Sequence, residues 1–309
     1  MKEILVKRSV RLMGNHFEIS AVADNTHLAE RFIDLGITEI RRIEKLFTTF
    51  SDDSQTNRIN QHAGLEPVVV DREVFDLITR SIRISELTQG AFDITYGSID
   101  KSLWNFDLSM TSLPAPALAR QMVRLINYKN LVLNASDSTV FLKEKGMRIG
   151  FGGIGKGYAA EMAKNVMRQA GAVSGVVNAS GDLTTWGRQP GNAEWTVGIA
   201  DPDSKNLPFS YLKISDMAIA TSGSYEKFVT IDGRRYSHTI NPKTGLPVTG
   251  IKSVTIFSPN AELSDALATP VTVLGVKTGL DLINQMKDIA CIIIDDQNKL
   301  FSSKNIHIH

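Results

Sequence analysis

The segment that decides how the fold is predicted reads Gly150-Phe151-Gly152-Gly153-Ile154-Gly155-Lys156-Gly157-Tyr158. It joins a predicted hairpin over residues 130–149 to a predicted helix over residues 155–171. Glycine lets the backbone approach a ligand closely, and a helix start presents free N–H groups and a positive dipole end to phosphate. Two interpretations stay open: a phosphate site to which Lys156 adds charge, or a tight strand-to-helix connection with a solvated lysine. The glycine spacing matches neither a Walker A loop nor the dinucleotide fingerprint.

The sequence before this segment predicts two strands and two long helices. Residues 4–22 alternate in polarity as a strand pair that is interrupted at Met13-Gly14-Asn15. Apolar residues recur at helical spacing over residues 26–49 and again over residues 72–89, which predicts a helix in each range. Residues 97–118 have no clear period, and we expect them to cross the surface without regular structure.

The sequence after the segment predicts mainly strands. These cover residues 173–178, 182–187, 195–200, 210–215, 217–221, 227–231, 234–240 and 251–257. Helices are predicted over residues 261–268 and 276–286, and a strand over residues 289–294. Helices placed early, midway and late around mostly antiparallel strands favour an α+β architecture over a regularly alternating one. We predict one domain over residues 1–309, with two subdomains as the alternative.

Composition excludes several classes of function. The 309 residues are 42% hydrophobic and 22% charged, as in ordinary soluble globular proteins. Lys and Arg number 34 and Asp and Glu 33, so the net charge of +1 gives no argument for a nucleic-acid partner. Cys291 is the single cysteine, which excludes an internal disulfide and a cysteine-rich metal cluster. Its apolar sequence neighbours predict a buried, unreactive thiol.

The N-terminal sequence bears on location. The residues after Met1 include no apolar stretch long enough for a signal peptide or a membrane helix, so no membrane span is expected. The expectation for the chain as written is a cytoplasmic protein. A periplasmic or inner-membrane-anchored protein is the alternative if an export signal has been trimmed from this sequence.

A second segment combines hydrogen-bonding, cationic and turn-forming residues, and it reads Tyr236-Ser237-His238-Thr239-Ile240-Asn241-Pro242-Lys243-Thr244-Gly245. Asn-Pro and Thr-Gly are typical of turns, and loops on a rigid scaffold often carry the chemistry of a protein. Histidine exchanges protons near neutral pH and can act as a general base, which makes His238 a candidate for that role. The alternative is a histidine at a strand end whose ring bonds to the backbone.

A third segment offers hard oxygen ligands. Asp265 and Thr269 are four residues apart and therefore share one face of a helix. Carboxylate and hydroxyl oxygens suit magnesium or calcium better than zinc. Pro270 cannot donate to the carbonyl of Ala266, and it disfavours helical geometry at Thr269. The alternative is a solvated aspartate on an amphipathic helix.

These segments occur in the order seen in one enzyme family. The residues concerned are Met13-Gly14, Phe50-Ser51, Arg58-Ile59-Asn60, Gly90 to Thr95, Gly152 to Ala159, Ser180-Gly181-Asp182, Ala220 to Tyr225, Ser237 to Pro242, Thr244-Gly245 and Asp265 to Thr269. Over nearly its whole length the chain resembles the FAD:protein FMN transferases, the ApbE-type flavin transferases. The resemblance implies an α+β, T-fold-like architecture.

The resemblance also implies a reaction and a set of site residues. Such an enzyme uses Mg²⁺, transfers FMN from FAD to a threonine or serine hydroxyl of an acceptor flavoprotein, and releases AMP. By position, His238 resembles the catalytic base and Lys156 a residue that is both catalytic and in contact with FAD. The other implied FAD contacts are Met13, Phe50, Ala91, Phe92, Asp93, Gly150 and Ile240, and the implied metal ligands are Gly153, Asp265 and Thr269.

The sequence departs from the family at three positions. Gly150 stands where the family usually has aspartate, Gly155 replaces a common alanine, and Pro270 replaces a usual helix former. Three other functions stay open beside the transferase. They are an FAD pyrophosphatase that yields FMN and AMP, a flavin-binding protein without catalysis, for which the change at Gly150 is an argument, and a scaffold whose glycine segment and histidine are structural.

Overall fold

The computed structural model describes residues 3–100, 102, 112–201, 204–223, 228–231 and 233–306. Within these ranges the α-helices are α1 (Thr26–Phe47), α2 (Gln55–Gln61), α3 (Arg72–Leu87), α4 (Pro116–Met122), α5 (Gly155–Gln169) and α6 (Ala261–Ile283). Short 3₁₀ helices cover Ile94–Ser98 and Tyr128–Asn130. The strands are β1 (Ile4–Leu12), β2 (Asn15–Ala23), β3 (Val68–Val69), β4 (Leu131–Asn134), β5 (Thr139–Leu142), β6 (Ser174–Ala179), β7 (Asp182–Trp186), β8 (Trp195–Asp201), β9 (Ser204–Ile214), β10 (Ala218–Gly223), β11 (Phe228–Ile231), β12 (Arg234–Ser237), β13 (Ile251–Ser258), β14 (Ala290–Asp295) and β15 (Leu300–Ser302).

The centre of the molecule is an eight-stranded antiparallel sheet in the order β1-β2-β6-β7-β10-β13-β14-β15. Two of its hairpins turn through two residues with positive φ, Met13-Gly14 at 51° and 70° and Ser180-Gly181 at 57° and 102°. Two-residue turns of this kind match the twist of the strands that they join. Because β2 pairs antiparallel with β6, with Phe17 opposite Ala179, both turns lie at the same end of the sheet.

Helices cover one face of this sheet. Helix α1 lies on β1 and β2, α5 on β6 and β7, and α6 on β10 and β13, with α5 between the other two. Their apolar faces bury residues such as Ile33, Ile40, Ala160 and Leu267. On the opposite face, the β8–β9 hairpin covers the sheet with Trp195 and Ile214 and closes a second apolar layer. The α+β prediction and the mostly antiparallel sheets are thereby confirmed.

Most predicted elements form, and the differences have identifiable physical causes. Helix α6 continues through Thr269 and Pro270 and breaks only at Gly275, where φ is 84° and ψ is 170°, although we predicted two separate helices. Packing against the sheet and α5 outweighs the hydrogen bond that Pro270 cannot make. Helices α2 and α4 are short and were not predicted, because neither shows an apolar period. Part of the predicted surface excursion, residues 103–111, lies outside the described ranges.

Helix α6 is also the one helix, in the part of the chain that the structure describes, that is long and apolar enough to cross a membrane. Its apolar character has a local explanation, because it contacts α5 and four strands of the central sheet. It also contains a buried carboxylate, that of Asp265, and the break at Gly275.

The start of α5 packs against α6 more closely than two ordinary helices can. A β-carbon on Gly157 would lie 2.1 Å from the carbonyl oxygen of Ala261 and 2.7 Å from the β-carbon of Asp265. Both neighbours belong to the first two turns of α6 and cannot move without shifting that helix. Glycine at this position is therefore a packing requirement.

We expect Gly157→Ala to lower the free energy of unfolding by about 1–3 kcal/mol, because the added methyl group forces α5 and α6 apart. Chemical denaturation followed by circular dichroism measures the loss. Gly152→Ala is the matched control: a β-carbon there meets no atom within 4 Å, so stability should change by no more than about 0.5 kcal/mol. Equal stability of Gly157→Ala and wild-type protein would contradict the packing argument.

Candidate active site

A polar cleft of about 300 Å³ opens at the end of the sheet where the two positive-φ turns lie. It is lined by Asn15, Gly152, Lys156, Ser180, Gly181, Asp182, Leu183, Val197, Gly198, Ile219, Thr221, Ser222, Gly223, His238, Asp265, Ala268 and Thr269. The cleft therefore brings together four predicted site residues from distant parts of the sequence: Lys156, His238, Asp265 and Thr269. Residues of one active site must lie close together, and these four do. The roles proposed for them stay predictions.

Asp265 is held by the N-terminus of α5. Its Oδ2 accepts a hydrogen bond of 2.9 Å from the backbone N–H of Gly157, in the first turn of that helix. The residue that precedes the helix, Ile154, supplies no side-chain cap. A carboxylate at this place is stabilised by the free N–H groups and by the positive end of the helix dipole. The other oxygen of Asp265, Oδ1, lies 4.0 Å from the ammonium nitrogen of Lys156.

Lys156 is not a solvated lysine. Its ammonium donates a hydrogen bond to Oδ2 of Asp182, and its side chain is only 28% exposed. Asp182 is the first residue of β7, directly after the Ser180-Gly181 turn, and its carboxylate is buried. The sequence analysis quoted Asp182 only as part of a motif and gave it no function. The cleft thus contains one lysine ammonium between two buried carboxylates.

The glycine segment offers fewer free backbone amides than its sequence indicates. Gly150 N–H donates to the carbonyl of Ile94 at 3.1 Å, and Gly155 N–H donates to the carbonyl of Phe151 at 2.6 Å. The Gly157 N–H donates to Asp265. Since three glycine amides already have acceptors, a phosphate would rely on Lys156 and on a cation more than on the helix start. The phosphate site and the tight connection therefore both stay open for this segment, with Lys156 as its charged group.

His238 lies on an irregular hairpin that follows β12. The two arms are joined by hydrogen bonds from Ser237 N–H to the Val248 carbonyl and from Val248 N–H to the Thr239 carbonyl, 3.1 and 2.9 Å long. The side chain of Asn241 accepts from the N–H of Lys243 and so orders the tip. His238 is exposed towards the cleft on this supported backbone. Such a position suits a group that must meet a second molecule.

The tip of this hairpin is fixed against the body of the protein. Gly245 has a φ of 71°, and a β-carbon there would lie 1.9 Å from the carbonyl oxygen of Ala119 in α4. Ile240 is buried in a small apolar cluster with Ile99 and Val123. Its N–H faces the hydroxyl of Tyr96 at 3.4 Å, and burial raises the pKa of that hydroxyl to about 12. Only the backbone of Ile240 is therefore suited to a ligand contact.

Asp93 serves as a structural clamp. Its Oδ1 accepts hydrogen bonds from the N–H and the hydroxyl of Thr95, at 2.8 and 2.6 Å, and its Oδ2 accepts from the N–H of Tyr128 at 3.0 Å. Burial raises the pKa of this carboxyl, and the three hydrogen bonds oppose that effect. The clamp holds the segment with Ala91 and Phe92, both buried. The residues lining the cleft do not include Ala91, Phe92 or Asp93, and the cofactor contact of Asp93 stays a prediction.

The opposite side of the glycine segment is aromatic. Phe151 is buried against Phe47 with ring centres 4.5 Å apart, and Phe92 lies against Gly153, where a β-carbon would be 3.4 Å from the ring. The Met13 side chain lies next to Gly155. Phe50 is 99% exposed, which is unusual for so large an apolar side chain.

Phe50 is presented by an ordered loop. The side-chain amide of Asn57 donates to the carbonyls of Thr49 and Ser51, at 2.9 and 2.8 Å, and so holds the backbone on both sides of Phe50. The N–H of Phe50 itself donates to the Thr48 hydroxyl at 3.1 Å. A phenyl ring held outward in this way is available for stacking on a flat ligand.

The donor set suits a hard cation better than a transition metal. No group of three or more His, Cys, Asp or Glu side chains with metal-binding geometry occurs in the described ranges. Asp265 and Thr269 offer one carboxylate and one hydroxyl on the same face of α6, next to the cleft. Mg²⁺ is commonly bound through one or two carboxylates while it keeps several waters. These residues therefore fit Mg²⁺, although Gly153 itself is not among the cleft-lining residues.

The chain is similar in sequence to proteins of one family. The sequence model of the ApbE family matches residues 13–293. An FAD:protein FMN transferase from Klebsiella pneumoniae (strain 342) is 32% identical over 298 residues, which cover 96% of this chain and 90% of the relative. A protein of the same name from Treponema pallidum (strain Nichols) is 31% identical over 284 residues, which cover 87% and 78%. The chain belongs to the ApbE family.

Solved structures agree with this assignment. The crystal structure of an ApbE protein from Thermotoga maritima has a TM-score of 0.86 to this chain at 28% identity and covers 97% of both chains. The flavin transferase ApbE from Vibrio cholerae has a TM-score of 0.82 at 25% identity and covers 98% of both chains. The fold implied by the sequence resemblance is therefore confirmed.

The contact between Asp265 and α5 leads to a prediction about stability. Asp265→Ala should lower the free energy of unfolding by about 1 kcal/mol, because the Gly157 N–H loses its acceptor. Asp265→Asn keeps an acceptor oxygen and should cost less. Asp281→Ala, at an exposed position of the same helix, is the control and should change nothing measurable. Urea denaturation compares the three variants, and identical losses for Ala and Asn at position 265 would contradict the capping role.

Proposed function

We propose that this chain transfers FMN from FAD to a threonine or serine hydroxyl of an acceptor flavoprotein and releases AMP. The observation that supports the proposal most directly is the gathering of Lys156, His238, Asp265 and Thr269 around one polar cleft. Membership of the ApbE family and the names of its relatives, FAD:protein FMN transferase, support the same reaction.

In the proposed reaction the acceptor hydroxyl oxygen bonds to the phosphorus of the FMN half of FAD. The bond from that phosphorus to the oxygen shared with the AMP phosphate breaks, and AMP leaves with that oxygen. His238 takes the hydroxyl proton, for which its exposed place on a supported hairpin is suitable. Phosphoryl transfer requires alignment and charge neutralisation more than covalent help from the protein.

Charge neutralisation is assigned to Lys156 and to a divalent cation. The Lys156 ammonium faces the cleft and would lie against the phosphate oxygens of FAD. Asp265 and Thr269, with the backbone oxygen of Gly153, would hold Mg²⁺. When bound, this ion would neutralise charge on the pyrophosphate. Gly150, where the family usually has aspartate, leaves one of the implied FAD contacts without a side chain.

The flavin is assigned to the exposed ring of Phe50. Phe50 would stack on the isoalloxazine ring, and Met13, Ala91, Phe92 and the backbone of Ile240 would border it. Asp93 would act by holding Ala91 and Phe92 in place through its bonds to Thr95 and Tyr128.

Mass spectrometry of an acceptor flavoprotein after incubation with FAD and Mg²⁺ tests the proposal. We expect the added mass of FMN on one Thr or Ser peptide together with free AMP, and neither product when EDTA removes the metal. Free FMN with unmodified acceptor would indicate an FAD pyrophosphatase instead. Bound FAD without turnover would indicate a flavin-binding protein.

His238→Ala should slow the transfer by about 10²–10⁴-fold in the same assay, because the hydroxyl loses its proton acceptor. The affinity for FAD, measured by flavin fluorescence, should stay unchanged. His27→Ala is the control, at an exposed position in the first turn of α1, which follows the end of β2 opposite to the cleft residue Asn15. Transfer at the wild-type rate by the His238 variant would show that His238 is not the base.

Phe50→Ser should weaken FAD binding by roughly 3- to 10-fold, which is the range of a single aromatic contact. The melting temperature should not change, because the side chain is exposed and contributes little to the core. Leu65→Ser makes the same apolar-to-polar change at another exposed position, and it controls for the effect of that change on the surface. Fluorescence titration and a thermal melt measure the two quantities, and unchanged FAD affinity would contradict the stacking role.

A further inference from the structure

Asp182 is held rigidly by the hairpin to which it belongs. The Ser180-Gly181 turn, with both φ values positive, fixes the register in which Ala179 faces Asp182. The side chain of Asn178 accepts from the N–H of Gly181 at 2.8 Å and stabilises this turn. A carboxylate on such a backbone keeps its position when its neighbours move.

The Asp182 carboxylate depends on Lys156. Its side chain is 6% exposed, and among the residues that the structure describes Lys156 is its sole hydrogen-bond partner. A buried carboxylate is costly without a partner of opposite charge, so the pair is strongly favoured. The Lys156 ammonium is thereby drawn towards β7.

The same ammonium has a second carboxylate within reach. Oδ1 of Asp265 lies 4.0 Å from the Lys156 nitrogen, and its partner atom Oδ2 is already bound by Gly157 N–H. Without Asp182, Lys156 would have Asp265 Oδ1 as its nearest anionic acceptor. That oxygen is the one that Asp265 has left for a cation in the cleft.

We propose that Asp182 is a positioning residue that holds the Lys156 ammonium away from Oδ1 of Asp265 and so keeps this oxygen available to a divalent cation. The inference rests on the proposed function, because it takes Asp265 as a metal ligand. It adds a residue to which the sequence resemblance gave no role. Asp182 thus keeps two positive charges, the Lys156 ammonium and the cation, at separate places in the cleft.

Mn²⁺ binding to four proteins tests the inference: wild type, Asp182→Asn, Lys156→Met and the double variant. Electron paramagnetic resonance measures free Mn²⁺ without FAD or turnover. We expect Asp182→Asn to weaken binding roughly tenfold, because the released lysine competes for Asp265. Lys156→Met should improve binding by only about twofold in the wild type but recover most of the loss in the Asp182→Asn background.

The four Mn²⁺ affinities distinguish competition between Lys156 and the cation for Asp265 from a simple loss of the negative charge of Asp182. If Asp182 acted only through its own negative charge, Lys156→Met would have the same effect in both backgrounds, and the inference would be overturned while the proposed function stood. A wild-type protein that binds no Mn²⁺ would overturn the metal assignment of Asp265 and this inference with it. In that case mass spectrometry of the acceptor still decides whether FMN is transferred.

A matched control residue lies on α5, the helix that carries Lys156. Glu161 in α5 forms a buried ion pair with Lys164 at 2.5 Å, and Lys164 also donates to the Thr184 hydroxyl at 3.1 Å. Glu161→Gln removes a similarly buried negative charge outside the cleft but keeps an oxygen that can accept from the Ala261 N–H at the start of α6, so Mn²⁺ affinity should stay unchanged even where thermal stability falls. If Asp182→Asn does not fold, Asp182→Ser replaces it in the same cycle. Weakening of Mn²⁺ binding by Glu161→Gln equal to that by Asp182→Asn would overturn the inference.

Discussion

The close approach of α5 to α6 is the constraint on which the site depends. It needs no side chain at Gly157 and an anion at Asp265, because the first turn of α5 is in van der Waals contact with the first turns of α6. A helix start leaves backbone N–H groups without partners, and a buried carboxylate needs donors. A single hydrogen bond, from the Gly157 N–H to Asp265, meets both requirements here. As a result one oxygen of Asp265 is used inside the fold, and the other faces the cleft next to Lys156.

The hairpin turns supply the other wall of the site. Met13 and Ser180 are non-glycine residues with positive φ, a conformation that L-residues adopt at a cost. Both stand in two-residue turns at the same end of the sheet, and each turn is followed by a polar residue that lines the cleft, Asn15 or Asp182. A longer, looser connection would not fix these side chains. The strain is therefore placed where rigidity serves the site.

Sequence reasoning recovered the elements whose apolar residues recur regularly. Helix α1 and the strands on either side of the glycine segment follow from periodicity and turn residues. Helix α2 could not be found in this way, because polar contacts hold it, such as those of Asn57 with the loop before it. Pro270 misled the prediction, since local preference stops a helix that tertiary packing continues.

The same distinction applies to the site. Lys156, His238, Asp265 and Thr269 carry side chains whose chemistry is visible in the sequence, and spacing or turn signals mark their segments. The partners of these residues are set by the topology: Asp182 meets Lys156 only because β7 lies beside the start of α5. Asp93 shows the converse, since its carboxylate looks available in the sequence but is used by Thr95 and Tyr128.

The glycine segment also separates two chemically different environments. Gly152 borders the polar cleft with its lysine and carboxylates, whereas Gly153 faces the ring of Phe92 and Phe151 is buried against Phe47. Side chains at these glycines would separate the two sides by at least a methyl group. The rings of Phe47, Phe92 and Phe151 are at most 7% exposed, so this second side belongs to the core. A backbone without side chains is the thinnest wall that a protein can place between a polar cleft and an apolar core, and this gives Gly152 and Gly153 a structural role apart from any hydrogen bond of their amides.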